Sequence, residues 1–379
     1  MVHNIRVKEP GSLQEHRRAA AAAGRRRPDA RDSSSASSPA GMLTLLGIRG
    51  IGPRSAVRLS ERFTSLGEIQ EAPGRELAAV LKGPALQAVR DRAAWRHARS
   101  EAARTLDAAE QLGVQVIAIA DDSYPVLLRA IPDHPAVLFV KGTLGQGPRN
   151  VACVGTREPT AVGLQATRKI VDALAGAGWT IVSGLAIGVD TEAHNTALDR
   201  DAFTVAILPT SLDRIYPPEN AGLADRILAS GGALVSELRF GTGASPRHFV
   251  QRDRLQSGMS VATVVMQTDL VGGSMHTVRF TLGQRRLLFA AVPHPAHAGE
   301  PQSRGIMALT RNTGSELATL IADDRRYAAF LRNNFLSSPP AIPVSSQAGY
   351  ESLLERLDAA VTGPPHPEKP DAADQRRLF

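Results

Sequence analysis

The stretch "VACVGTREPTAVGLQATRKIVDALAGAGWTIVSGLAIGVDTEAHNTALD", Val151 to Asp199, decides the fold. Its two apolar runs, Val151–Val154 and Thr180–Val182, stop on small residues, Gly155-Thr156 and Ser183-Gly184, and each leads into a helical pattern. A short continuous apolar run bounded by turn residues reads as a strand buried on both faces. Between the two runs, Gln165–Ala177 sets Ile170, Val171 and Leu174 on one side, as an amphipathic helix does. Alternating strands and helices predict a parallel sheet with right-handed crossovers.

The same alternation continues outward. Further strands are expected at Thr204–Leu208, Ala233–Val235, Val261–Met266 and Leu287–Val292, with helices between most of them. Upstream, Val114–Ile119 and Val137–Val140 read as strands, and Gly142–Asn150 as a connector. The fold class expected is α/β: a Rossmann-like, doubly wound, mostly parallel sheet with a small N-terminal helical domain. Its divisions are a disordered basic arm (1–40), a helical domain (41–112), the Rossmann-like domain with its N-terminal extension (113–325) and a Pro-rich C-terminal tail (326–379). A short helical pattern, Tyr350–Ala360, lies within that tail.

Composition narrows the function. The chain has 379 residues, 43% of them hydrophobic, enough to bury a large core in more than one domain. A formal charge of +7 favours a polyanionic partner, whereas 4% aromatic residues argue against extensive base stacking. A single cysteine, Cys153, excludes an internal disulfide or a Cys-rich zinc site, and its apolar strand makes it a core residue. No apolar run is long enough to span a bilayer. Arg25, Arg26 and Arg27 follow an Ala run without a signal-type apolar core, so a soluble cytoplasmic protein is expected.

In such sheets ligands sit beyond the carboxyl ends of the strands, where the glycine-containing breaks fall. Gly155 permits a tight turn, Thr156 offers a hydroxyl and an N–H, and Arg157 a planar fork for phosphate, beside a helix entered near Thr160. Ser183-Gly184 ends the next strand, and Asp190 is expected to cap a helix carrying His194, a packing residue or a donor to ligand. "HFVQRDRLQSGMS" sets Arg252 and Arg254 near a helix start, and "DLVGGSMHT" sets Gly272-Gly273-Ser274 between strand and helix as a second anion nest. The dinucleotide pattern G-x-G-x-x-G is missing after the first strand, so no redox cofactor is expected. Nor do paired carboxylates, metal-ligand spacing or a nucleophile elbow call for an enzyme or a metal. In the helical domain "LLGIRGIGPRSAVRLSERF" contains a helix-hairpin-helix-like turn. Gly50 and Gly52 there allow close approach to a phosphate, Pro53 starts a helix, and Arg54 and Arg58 add charge.

At these residues the sequence resembles the bacterial DNA-processing protein A family (DprA, also called Smf), over about Tyr124 to Thr313. The resemblance rests on "YPVLLRAIPDHPAVLFVKGTL", "VACVGTREPTAVG", "IVSGLAIGVDTEAHNTAL", "ILPTSLDRIYPPEN", "HFVQRDRLQSGMS" and "GGSMHT", in the family's order. It implies a non-enzymatic protein, usually a homodimer, that binds single-stranded DNA through its phosphates. Such a protein protects incoming strands and helps load the recombinase RecA in natural transformation. Gly155, Thr156 and Arg157 match the family's Val-Gly-Ser-Arg motif, and Ser183 and Gly184 the start of Ser-Gly-Leu-Ala-Arg-Gly-Ile-Asp. Phe249, Arg252 and Arg254 match Phe-Pro-x-Arg-Asn-Arg, while Gly273, Ser274 and Thr277 match Ser-Gly-Ser-Leu-Ile-Thr. Against the family's pattern, Thr156 replaces Ser, Ile187 Arg, Asp253 Asn, Gly272 Ser and Ser211 Gly. The charge changes at Ile187 and Asp253 are expected to weaken phosphate binding.

Two other functions fit a phosphate cradle: a Rossmann protein that senses a nucleotide-derived ligand, and an adaptor that has lost DNA binding. The phosphoribohydrolase motif Pro-Gly-Gly-x-Gly-Thr-x-x-Glu is missing, which argues against hydrolysis. Finally, Gln375-Arg376-Arg377-Leu378-Phe379 looks like the Gln-x-x-Leu-Phe peptides that insert into the replication sliding clamp. Gln375 would bond at the rim, and Leu378 and Phe379 would fill an apolar pocket.

Overall fold

A computed structural model describes residues 34–145 and 147–362. The helical part comprises α1 (Pro39–Gly47), α2 (Pro53–Arg62), α3 (Leu66–Glu71), α4 (Gly74–Ala78), α5 (Pro84–Ala88) and α6 (Arg92–Gln111). Folding starts earlier than the expected end of the basic arm at residue 40. Ala36 is fully buried, Ser35 bridges Ser65, and the Ser38 hydroxyl accepts from Gly41 N–H at 3.0 Å to cap α1. Arg25, Arg26 and Arg27 lie outside the described residues. Between α1 and α2, Gly50 has φ +85°, and a Cβ there would sit 3.1 Å from the Ala85 methyl. Gly52 is the N-cap of α2 and Pro53 its first residue.

The remainder alternates strand and helix. In chain order it runs β1 (Val114–Ala118), α7 (Val126–Arg129), β2 (Val137–Gly142), β3 (Asn150–Val154), α8 (Ala161–Gly176), β4 (Thr180–Ser183) and α9 (Val189–Asp199). Then follow β5 (Thr204–Ile207), α10 (Ala221–Ala229), β6 (Ala233–Ser236), α11 (Pro246–Gly258), β7 (Ala262–Val265), α12 (Gly273–Gly283) and β8 (Leu287–Ala291). The chain closes on α13 (Arg304–Arg311), α14 (Gly314–Ile321), α15 (Arg325–Asn334), β9 (Ile342–Val344) and α16 (Gln347–Thr362).

These strands form one sheet in the order β1-β2-β6-β5-β4-β3-β7-β8-β9. β2 pairs antiparallel with β1 and β6, and the other pairings are parallel. Every residue of β3, β5, β6 and β7 is buried, as expected of strands covered by helices on both faces. After β6 the chain crosses to the far side of β3 and lays down β7, so β4 and β7 flank β3. That reversal is the topological switch point, and the turns after β3, β4 and β7 meet there.

β1 and β2 extend the β6 edge and share a hydrophobic core with the helical part, in which Trp95, Leu45 and Leu59 pack with Phe139 and Val235. Arg239 on this side donates through Nη2 to the Leu43 carbonyl at 2.9 Å. At the opposite edge, the span expected to be a Pro-rich tail is folded as far as Thr362. β9 pairs with β8, and Leu353 and Leu357 of α16 enter the core beneath β3 and β7. Each such leucine contributes roughly 1.5–3 kcal/mol of burial. Among the described residues no helix is long and apolar enough to cross a membrane.

Candidate nucleic-acid interface

Three turns lock together at the switch point. Gly155 follows β3 and lies against the start of α9, where a Cβ would sit 2.6 Å from Val189 Cγ2. From the β4–α9 turn, Val189 N–H donates to the Thr156 carbonyl at 3.2 Å. Gly188, with φ +84°, approaches so closely that a Cβ would sit 2.7 Å from the Arg157 carbonyl oxygen. From the β7–α12 turn, the Gln267 carbonyl accepts from Thr156 N–H at 2.8 Å. The Gln267 amide then brackets Thr160, accepting its N–H at 2.9 Å and donating to its hydroxyl at 3.0 Å. That hydroxyl accepts from Gly163 N–H and caps α8.

Arg157 projects from this fixed base into solvent. Its guanidinium carbon lies 5.0 Å from the centroid of Phe249 on α11, and Phe249 meets Tyr216 edge-to-face with centroids 5.5 Å apart. A cation over an aromatic face at such a surface contributes about 0.5–1 kcal/mol. The result is an oriented guanidinium backed by two half-buried rings, able to bind a phosphate and offer a π-face beside it. Tyr216 was missed by residue-type reasoning: low aromatic content hides the local pairing of two rings, although the "YPP" of "ILPTSLDRIYPPEN" marked the segment.

Arg252 and Arg254 do not stand at this surface. Arg252 is 6% exposed; its Nη1 donates to the carbonyls of Gly184 at 2.6 Å and Ile207 at 2.7 Å, and its Nε to Asp253 Oδ1 at 3.1 Å. It therefore ties the ends of β4 and β5 to α11. Arg254 is also buried, paired through Nη2 with Glu237 at 2.5 Å and through Nε with Asp133 at 3.3 Å. α11 is buried continuously from Arg252 to Gly258, so charge in its sequence does not mark its wet face.

Ser183 and Gly184 are likewise engaged internally. The Ser183 hydroxyl donates to the Cys153 carbonyl at 2.7 Å, and Gly184 N–H donates to Asp190 Oδ2 at 3.0 Å. A Cβ on Gly184 would lie 1.8 Å from Arg252 Nη1, so only glycine fits. Asp190 is not the N-cap that its position suggested. Gly188 caps α9, and Asp190, inside the first turn, reaches back to the N–H groups of Gly184 and Ala186. With its amide oriented to satisfy both neighbours, Gln256 donates to Asp253 Oδ1 at 3.2 Å and accepts from Gly184 N–H at 2.8 Å.

Asp253 thus pairs with a buried arginine, and the second buried acid, Asp190, bonds to backbone N–H groups nearby. Burial pushes Asp253 up to about 7, against the pull of Arg252 and with the help of neighbouring Asp190. Burial raises Asp190 as well. His194, buried on α9, bonds through Nδ1 with the Thr204 hydroxyl at 2.7 Å and is driven down to about 3 by burial and by Arg252. It is a neutral packing residue.

At the start of α12, Gly272 and Gly273 are exposed, while Ser274 and Thr277 are buried. The Thr277 hydroxyl lies 3.5 Å from the Gln256 amide. Ser211 is buried and exchanges hydrogen bonds with Thr242, and Ile187 stands exposed on the β4–α9 turn. Gly50 and Gly52 belong instead to the α1–α2 turn of the helical part, and exposed Arg54 to the first turn of α2. Gln375, Leu378 and Phe379 lie outside the described residues.

Residues 115–328 match the sequence model of the family described as DNA recombination-mediator protein A. Protein Smf of Synechocystis is 32% identical over 313 residues, covering 81% of this chain and 74% of its own. The DNA processing protein DprA of Bacillus subtilis is 36% identical over 208 residues, covering 54% of this chain and 69% of its own. Among solved structures, DNA processing protein A from Streptococcus pneumoniae superposes with a TM-score of 0.58 at 28% identity, covering 72% of this chain and 91% of that one. The Helicobacter pylori protein, solved to describe its single-stranded DNA binding mode, gives 0.50 at 26% identity, covering 64% and 97%. By family match, sequence identity and fold, the chain belongs to the DNA recombination-mediator protein A (DprA/Smf) family.

Proposed function

We propose that the chain binds single-stranded DNA at the carboxyl edge of its sheet and serves as a recombination mediator that shields strands and assists RecA loading. The observation that carries this reading is Arg157, held on three interlocked turns and backed by Phe249 and Tyr216. The guanidinium supplies a sequence-independent phosphate contact. The exposed part of the Phe249–Tyr216 pair is the aromatic surface on which an unpaired base would stack, at roughly 1–3 kcal/mol per base. The Thr156 hydroxyl and the exposed Gly272-Gly273 start of α12 border the same edge with further polar groups. Arg252, Arg254, Ser183, Gly184, Ser274 and Thr277 act in this proposal as the scaffold under the contact surface. The Helicobacter pylori relative, solved to describe its single-stranded DNA binding mode, supports the choice of ligand. RecA, a homodimer and DNA processing in natural transformation are proposed on the family resemblance.

The test is competition against a labelled single-stranded oligonucleotide, read by fluorescence anisotropy, with unlabelled single strands, duplex and mononucleotides as competitors. Single strands should compete best, with affinity falling as salt rises. Equal or better competition by a mononucleotide would assign the cradle to a small nucleotide ligand and overturn the proposal.

A further inference from the structure

Six large apolar side chains are strongly exposed among the described residues, and two of them flank Arg157. Ile187, 45% exposed, is on the β4–α9 turn; Val271, 88% exposed, is on the β7–α12 turn. Isolated exposed apolar residues are ordinary on protein surfaces and by themselves mean nothing. The strand order makes this pair different. β4 and β7 are the immediate neighbours of β3, so their turns stand on either side of the turn that carries Arg157, with the strand ends roughly 10 Å apart.

Both turns are also held in place. Ile187 immediately precedes Gly188, which lies against the Arg157 backbone, and Val189, which is bonded to Thr156. On the other side, Asp269 accepts from Leu270 N–H at 2.6 Å, and Arg304 grips its carboxylate with bonds of 2.9 and 2.6 Å. α13 packs close behind, since a Cβ on Gly305 would sit 2.5 Å from the Asp269 carbonyl oxygen. Two apolar side chains therefore stand in water on turns whose neighbouring residues are held beside the turn that carries Arg157.

We infer that Ile187 and Val271 form an apolar rim that meets unpaired bases on both sides of the Arg157 phosphate contact and makes the site select single strands over duplex. This rests on the proposed DNA binding. The physical basis is what each ligand presents. A single strand can turn base faces toward the protein, and apolar side chains then lose water against apolar π-surface. A duplex keeps its bases stacked inside and presents charged phosphate and sugar, against which Ile187 and Val271 gain nothing. Apolar contacts release no counterions, so the rim sets the single-strand preference without altering the salt dependence.

The experiment compares the full chain with an Ile187→Ala plus Val271→Ala variant, using a labelled single strand and a labelled hairpin duplex over a salt series. Both residues are at the surface, so the variant keeps its fold. Single-strand affinity should fall about fivefold to tenfold at every salt concentration, with an unchanged log–log slope and unchanged duplex affinity. A parallel loss for both DNAs, a changed slope or an unchanged ratio would overturn the inference. A second variant, Ile187→Arg, should steepen the slope by about 0.7 and raise duplex affinity more than single-strand affinity; an unchanged slope would place Ile187 away from the DNA. Failure of the wild-type chain to bind single strands would instead refute the proposed function, and this inference with it.

Discussion

Replacing Asp253 with asparagine removes the buried carboxylate that pairs with the Arg252 guanidinium. In the native chain Asp253 keeps its proton up to about 7, whereas an unshifted aspartate releases it near 3.8. The native state therefore binds more protons than the unfolded state across that window, and stability falls as pH rises through it. Below the lower value both states are protonated and the penalty vanishes. Above the upper value it is complete, roughly 4 kcal/mol at about 1.4 kcal/mol per pH unit. Asparagine carries no such penalty, but it exchanges a charge-assisted bond from Arg252 for a weaker neutral one, a loss of about 1–2 kcal/mol. The net expectation is a variant more stable than wild type by on the order of 2 kcal/mol near pH 8. That advantage should shrink by roughly 2–3 kcal/mol on going to about pH 5. Urea unfolding followed by the fluorescence of buried Trp95 and Trp179 measures both. A stability difference that stays constant over the window would refute the account of Asp253 as a buried, proton-holding acid.

Arg252→Ala should act on folding before binding: it strands Asp253 and leaves the Gly184 and Ile207 carbonyls without their donor, a loss of about 3–5 kcal/mol in urea unfolding. A loss below about 1 kcal/mol would contradict the buried role. Gly184→Ala should be poorly tolerated, since the added methyl falls on Arg252 Nη1; a wild-type unfolding midpoint would show that the two turns can part. The terminal Gln375–Phe379 segment is expected to bind the replication sliding clamp in a calorimetric titration, with binding lost on Leu378→Ala plus Phe379→Ala, and an intact chain without clamp affinity would end that proposal.

Fully buried strands announce themselves in sequence, because apolar runs such as Val151–Val154 and Val261–Met266 end on small or glycine-containing turns. β9 gave no such signal: it is three residues long with Pro343 at its centre, which only an edge strand tolerates. The site was legible as a set of turns but not in depth. Arg157 and Arg252 look alike in one dimension, yet one stands in solvent and the other beneath the sheet edge. The difference arises from α11, which is packed against α12 and the sheet on a face that includes charged residues. Asp190 misled for a related reason. An aspartate at a helix start usually caps that helix, but here glycine takes the cap and the carboxylate bonds to the preceding turn. The pairing of Phe249 with Tyr216 joins residues 33 positions apart and is visible only in three dimensions.

In the proposed single-strand site Arg157 is the solvent-facing phosphate contact. Its most direct test is the salt dependence of single-stranded DNA binding by Arg157→Ala, compared with wild type on oligonucleotides of different sequence. Arg157 is exposed, so the variant should fold normally. Binding should weaken for every sequence alike, with a log–log salt slope shallower by about 0.7, the value for one lost phosphate contact on a single strand. A folded variant with wild-type affinity and slope would contradict it.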